Sequence, residues 1–311
     1  MAHDASSGRV EWEHPIHPEH AGNSPKSAND SYGQDGSTAQ RRYTTKAAVE
    51  ALREKLTDRQ WSCLRDVGRL GTTTGRQLER LHYEATETGK RQARHDLAML
   101  TSSRVLQRLT RSIGGVRSGS RGYVYAVGVA GQRLLSPGRA RYRPPWTPQP
   151  SYLRHALNVS DLYVQLRLAE RAGLLELDAF DAEPRSWRSF AGPGGGMVTL
   201  KPDAYASLFL GEFEDRYFIE MDMATESGPR ILSKTKTYIR YFQSGREQGA
   251  SGVFPIVVWV TTTPQRRDFI VRTLAKIGEP DRAIFVVVTR DDFINHITAT
   301  EQINPPKEVN P

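Results

Sequence analysis

The sequence predicts a mixed α/β chain in two unlike parts: three short helices closed by a basic β-hairpin, then an αβββαβαβ run. Three observations carry this. The hydrophobic spacing changes from helical in the first part to alternating and then continuous in the second. The charge is lopsided, with 17 Arg and Lys against 6 Asp and Glu between Thr57 and Pro148, a net of +11 when the whole chain is only +8, which leaves −3 for the remainder. Between the parts lies "RPPWTPQPS", Arg143 to Ser151, dense in proline. The expected organisation is an arm over 1–45, a basic domain over 46–142, a linker over 143–151, a second domain over 152–295 and a tail over 296–311.

At 311 residues, 38% hydrophobic and 25% charged, the composition is that of a soluble protein with at least one packed core. No run approaches the roughly 18 apolar residues of a membrane span, and the N-terminus lacks the apolar core of a secretory signal. The single cysteine, Cys63, excludes an internal disulfide and a Cys-rich zinc site. A reducing cytoplasmic home is expected. The arm is rich in Ser, Asn, Gly and Asp; its His14, His17 and His20 read as an incidental tract rather than a metal site.

The first domain opens on "LTDRQWSCLRDVGRLG", where Thr57 and Gln60 have capping-box spacing and Trp61, Leu64, Val67 and Leu70 recur at helical intervals. "TTTGRQLERLHY" gives a second helix with Leu78 and Leu81 inward, and "ETGKRQARHDLAMLTSS" a third with Ala93, Leu97 and Leu100 inward. "RVLQRLTRS" and "RGYVYAVGV" alternate as two strands joined by the basic, Gly-rich "IGGVRSGS". Three helices and a basic hairpin in this order predict a winged helix-turn-helix. Lys90, Arg91 and Arg94 fall near the N-terminal end of the third helix, the end that a recognition helix offers to base edges. Arg117 and Arg121 fall on the wing tip, where they would meet phosphates or a minor groove. Double-stranded DNA is the expected partner.

The second domain begins with the amphipathic helix "YLRHALNVSDLYVQLRLAERAG" and the strand "LLELDAFD". The loop "SFAGPGGG" precedes an expected single strand, "MVTLKPDAYASLFL", and "RYFIEMDM" forms the next. Pro229 opens a helix, followed by the apolar strands "PIVVWVTT" and "AIFVVVT" around a helix from Pro264. Glu220 and Asp222 lie two apart on one strand face, with Asp203 on the neighbouring strand. Three such carboxylates repel unless solvent and salt, a lysine or a divalent metal stands between them. Lys234 shares the inward face of the helix with Ile231 and Tyr238, and Lys236 does not. Glu226 reads as an acid at the helix start, His155 as a lone structural histidine. "AGPGGG" has no following Lys-Ser/Thr and is not a phosphate loop.

Pro202-Asp203 followed by Glu220-x-Asp222 resembles the PD-(D/E)-x-K, restriction-endonuclease-like fold. In active members two carboxylates hold a metal that activates water against a phosphodiester, and a lysine stabilises it. Asp203 and Glu220 match the carboxylate positions, but Asp222 stands where the lysine belongs, and Lys234 is the candidate substitute. The resemblance implies Asp203, Glu220 and Asp222 as Mg2+ or Mn2+ ligands and, with Lys234, as the catalytic set. From about Leu56 to Phe293 the chain also resembles the replication-relaxation family of bacterial plasmids and mobile elements. That likeness rests on "GKRQARHDLAML", "HALNVSDLYVQL", "LKPDAYASL", "YFIEMDMATESGPRILSKTKTYIRY" and "PIVVWVTT" with Arg266 and Arg267.

What this resemblance implies is a DNA-binding accessory in plasmid replication, DNA relaxation or mobilisation, with replication or relaxosome proteins as partners and no membrane. A metal-dependent nuclease or nickase is the main alternative, and a winged-helix transcription regulator a further one.

Overall fold

A computed structural model of the protein describes residues 45–109, 122–138, 148–192 and 194–299. The expected wing tip with Arg117 and Arg121, the N-terminal histidines and most of the Pro-rich linker lie outside the described residues.

The first unit comprises α1 (Lys46–Lys55), α2 (Asp58–Leu70), β1 (Thr72–Thr74), α3 (Gly75–His82), α4 (Glu87–Ser102), β2 (Leu106–Leu109), β3 (Val124–Val127) and α5 (Val129–Leu135). Capping chemistry sets the helix starts. Thr57 with Gln60, and Thr74 with Gln77, each form a reciprocal capping box, so the first orphan N–H groups of α2 and α3 are satisfied locally. The three strands form an antiparallel sheet in the order β1-β3-β2. Leu64, Val67, Leu78, Leu97 and Leu100 fill the core beneath it. Helices α1 and α5, which the periodicity reading missed, close this core with Val49, Ala130 and Leu134. Gly89 is required by proximity: a Cβ there would lie 2.2 Å from the Glu84 carbonyl oxygen.

The second unit follows as α6 (Pro150–Arg171), β4 (Glu176–Ala182), β5 (Arg188–Ala191), β6 (Met197–Leu200), β7 (Ala204–Leu210), β8 (Phe213–Asp222), α7 (Gly228–Gln243), α8 (Arg246–Ser251), β9 (Ile256–Thr261), α9 (Pro264–Leu274), β10 (Phe285–Thr289) and α10 (Phe293–Thr298). The main sheet runs β10-β9-β8-β7-β4, parallel from β10 to β8 and antiparallel from β8 to β4. The expected single strand over residues 197–210 is two strands in two sheets. Among the described residues β6 pairs only with β5, and β7 joins the main sheet. Pro202 has no N–H to donate and Asp203 takes the bend, so the ladder breaks there.

Alternation along β8 sorts its side chains. Tyr217, Ile219 and Met221 enter the core shared with α6 and α10. Phe218 enters the opposite core with Ile231, Tyr238, Trp259 and Ile270, under α7 and α9. Glu220 and Asp222 take the Phe218 side by the same alternation and are almost wholly buried.

The units are joined by contact as well as by chain. Leu70 and Leu81 of the first unit pack in the α6 core. Gln77 Nε2 donates to the Leu157 carbonyl at 2.9 Å, Ser160 Oγ to the Thr72 carbonyl at 2.8 Å and Tyr163 Oη to Asp66 Oδ1 at 2.9 Å. His82 Nε2 stands 3.0 Å from the other oxygen of Asp66.

Candidate functional site

The residues expected to function fall into two groups, one in each unit. In the first unit, α4 buries Ala93, Asp96, Leu97 and Leu100 and turns Arg91 and Arg94 to solvent. Lys90, half-buried, pairs with Glu87 at 2.7 Å, and Arg94 Nε donates to the Lys90 carbonyl at 3.2 Å. The helix is fixed from beneath by a polar residue that periodicity would class as a mistake. Asp96, only 3% exposed, accepts from Gln60 Nε2 at 3.0 Å, Tyr83 Oη at 3.0 Å and Gln92 Nε2 at 3.2 Å. Burial works against its charge, but these donors and His95 outweigh it and hold the carboxyl below the ordinary range. Burial also raises the neighbouring Cys63 thiol, to about 12, so it stays protonated.

In the second unit, Asp203, Glu220 and Lys234 come together. Asp203 is held by the bend before β7: its N–H donates to the Ile219 carbonyl at 3.1 Å and its Oδ2 accepts from the Met221 N–H at 2.7 Å. Glu220 Oε2 is in direct contact with Lys234 Nζ, and Glu220 Oε1 accepts from Tyr238 Oη. Lys234 Nζ also lies 4.0 Å from Asp203 Oδ1 and 5.7 Å from the centre of the Trp259 ring. The spacing of Lys234 from Ile231 and Tyr238 points it at the Glu220/Asp222 face; it meets Glu220 there, but its second carboxylate is Asp203 rather than Asp222.

Asp222 does not share this group's contacts. Arg266 of α9 grips it bidentately, Nε to Oδ1 at 2.7 Å and Nη2 to Oδ2 at 2.8 Å, while Ala224 N–H donates to Oδ1 at 2.8 Å. The same guanidinium donates to the Glu226 carbonyl at 2.6 Å and lies over the Phe269 ring. Glu226 itself pairs through Oε1 with Arg230 at 3.2 Å. Each strand carboxylate therefore has its own cation: Lys234 serves Glu220, and Arg266 serves Asp222.

His155 is not isolated. Its Nε2 lies 3.3 Å from Asp203 Oδ1, and Glu183 and Tyr152 complete this side of the cluster. Nothing in the sequence pattern ties His155 to Asp203, 48 positions apart. The hint available was a histidine one turn into an amphipathic helix. Burial disfavours the charged form of His155, but the Asp203 carboxylate more than offsets it and raises the imidazole above its ordinary range. For Asp203 the burial cost is likewise outweighed, by Lys234, His155 and the Met221 amide, and its pKa falls. Glu220 is pushed up to about 8, by burial first and the nearby Asp203 charge second, against the pull of Lys234 and Tyr238.

Asp203 and Glu220 converge, but a lysine ammonium already stands against both, and Asp222 is directed to Arg266. Among the described residues no group of three or more His, Cys, Asp or Glu is arranged as a ready metal cage.

These features define a mixed α/β protein: a basic unit of helices and a three-stranded sheet packed on a second unit that buries a carboxylate–lysine cluster. The chain belongs to the replication-relaxation family, whose model matches residues 64–257. That span takes in α4, the whole interface helix α6, Asp203, Glu220, Asp222 and Lys234, and stops before Arg266. No curated protein and no solved structure matches the chain. Among the described residues no helix is long and apolar enough to cross a membrane.

Proposed function

We propose that this protein docks on double-stranded DNA through a winged helix-turn-helix formed by its first unit, as a DNA-binding accessory in the replication, relaxation or mobilisation of a plasmid or mobile element. The observation that carries the reading is the two-sided character of α4. Its buried side is locked to α2 by Asp96 and Gln60, and the opposite side offers Arg91 and Arg94 to solvent near the N-terminal end. A helix presented in that way, following α3 across a short turn and followed by β2 and β3, has the order of a recognition helix and wing. The basic excess of the first unit and the family's name, replication-relaxation, support the same conclusion. The test is the salt dependence of binding to a mixed-sequence duplex. Arg91→Ala with Arg94→Ala should weaken binding and lower the slope of log K against log salt by about 2, roughly 0.9 per lost phosphate contact. An unchanged affinity and slope would overturn the reading.

A second reading, a divalent-metal-dependent nuclease on a restriction-endonuclease-like second unit, is favoured by the meeting of Asp203, Glu220 and Lys234 at one point. Asp203 and Glu220 would be its metal ligands and Lys234 its stabilising cation. Asp222, committed to Arg266, would act on the frame of the site. Calorimetry with Mg2+ and Mn2+ and nicking of supercoiled plasmid, each on the intact protein and on Asp203→Ala, decide it. Binding and nicking that both vanish in the variant support the nuclease; their absence from the intact protein removes it.

A further inference from the structure

We infer that the outward face of α7 is a second nucleic-acid contact, a phosphate-binding ridge on the unit whose overall charge is close to neutral. Helix α7 carries Arg230, Lys234, Lys236 and Arg240 and no acidic residue. Lys234 turns inward to Glu220, and Arg230 is answered by Glu226. Lys236 and Arg240 are exposed, one turn apart, and have no carboxylate partner among the described residues. With about 100° per residue, Ser233, Lys236, Thr237 and Arg240 fall within an arc of about 100°. Cations and hydroxyls interleaved on one stripe are the donors that contact sugar–phosphate oxygens. Arg246, exposed just beyond the helix, extends the charge.

Several exposed cations elsewhere in the molecule are answered by an acid on their own segment. Arg53 is paired with Glu50, Lys90 with Glu87, Arg167 with Glu170 and Arg282 with Glu279, each three positions apart on its own segment. On α7 the equivalent acids are missing, and Lys236 and Arg240 repel at i,i+4. The helix dipole favours Arg240, in the last turn, but gives no reason for Lys236. Arg240 is instead held in place, Nε donating to the Lys236 carbonyl at 3.2 Å and Nη2 to Thr237 Oγ1 at 3.4 Å. An anion laid along the stripe relieves the repulsion. A nucleic-acid strand is the polyanion that matches a linear array of this kind in a chain already strongly basic elsewhere.

The inference shares with the preceding reading only the class of ligand, and its test separates the two. The full chain, the variant Lys236→Gln with Arg240→Gln, the swap Lys236→Arg with Arg240→Lys, and the α4 variant Arg91→Ala with Arg94→Ala are titrated with a mixed-sequence duplex and a single strand of equal length. Thermal unfolding confirms that each variant is folded. The Gln pair should lower the salt slope by about 2 on duplex, or by about 1.4 on single strand, with at least a tenfold loss of affinity at low salt, while the swap binds as the parent does. Loss confined to one form identifies the form that lies on the ridge. A Gln pair that binds like the parent with both forms overturns the ridge, whatever the α4 variant does. So does a swap that loses as much as the Gln pair, because the effect would then not be one of charge. If the α4 variant binds normally and the Gln pair does not, the ridge stands and the α4 assignment fails.

Discussion

Lys234 shows how much one side chain can decide. Its ammonium stands against Glu220, which is 1% exposed, and lies within reach of Asp203, so a position that reads as a misplaced cation on an apolar face joins the two carboxyl groups at the sheet end. Removing one partner of a buried pair leaves the other charge stranded, at a cost of about 3–5 kcal/mol. A quarter of the Lys234 side chain reaches water, so Lys234→Met should cost less, about 2–3 kcal/mol by urea denaturation. Adding Glu220→Gln should restore much of it, and strictly additive losses would show that the two do not act as a pair. Asp203, Glu220 and Lys234 were legible because two-residue and four-residue spacings locate side chains on strand and helix faces. Tyr238 was legible only as an inward aromatic. Neither His155 nor Arg266 was legible as a partner, because each meets its carboxylate across elements and spacing along one element says nothing about another.

At the scale of the element, α4 is set by what lies under it. Its length, cap and apolar stripe follow from local sequence: Thr86 Oγ1 accepts from the Gly89 N–H at 3.0 Å, and Ala93, Leu97 and Leu100 recur on one side. Its rotation about its own axis is fixed by Asp96, through Gln60 of α2 and through Tyr83. Asp96→Ala leaves those donors unpaired and should cost about 2 kcal/mol in thermal or urea unfolding. The pH dependence has a definite sign. The native Asp96 carboxyl lies below its unfolded value, so its stabilisation is complete above about pH 4 and is lost as pH falls through the depressed native value. Asp96→Asn lacks this component, and its melting temperature should fall less steeply below pH 4 than that of the parent. Equal acid sensitivity would place the depressed carboxyl elsewhere. The broken strand at 197–210 teaches the converse: apolar alternation continues across Lys201-Pro202-Asp203, yet one missing N–H and one bend assign its two halves to different sheets.

For the whole molecule, α6 is the decisive element. One side of it covers the main sheet through Leu162 and Leu166, and it also receives Leu70, Leu81 and the buried Tyr163–Asp66 and Ser160–Thr72 hydrogen bonds from the first unit. Units coupled through a shared core open together. Calorimetry should therefore record one unfolding transition, and Tyr163→Phe, which deprives Asp66 of a donor, should lower it without splitting it. Two separated transitions in the parent would mean that the interface contributes little. By itself the sequence determined the mixed α/β class, the helix caps, the basic first unit and the strand positions of the carboxylates. Each of these depends on interactions within a few residues, or on composition. The tertiary structure alone decided that Lys234 and Arg266 divide the carboxylates between them, that His155 stands at Asp203, and that Lys236 and Arg240 of α7 face outward together. Those outcomes depend on which elements pack side by side, and that is set by the sum of the two cores rather than by any local spacing.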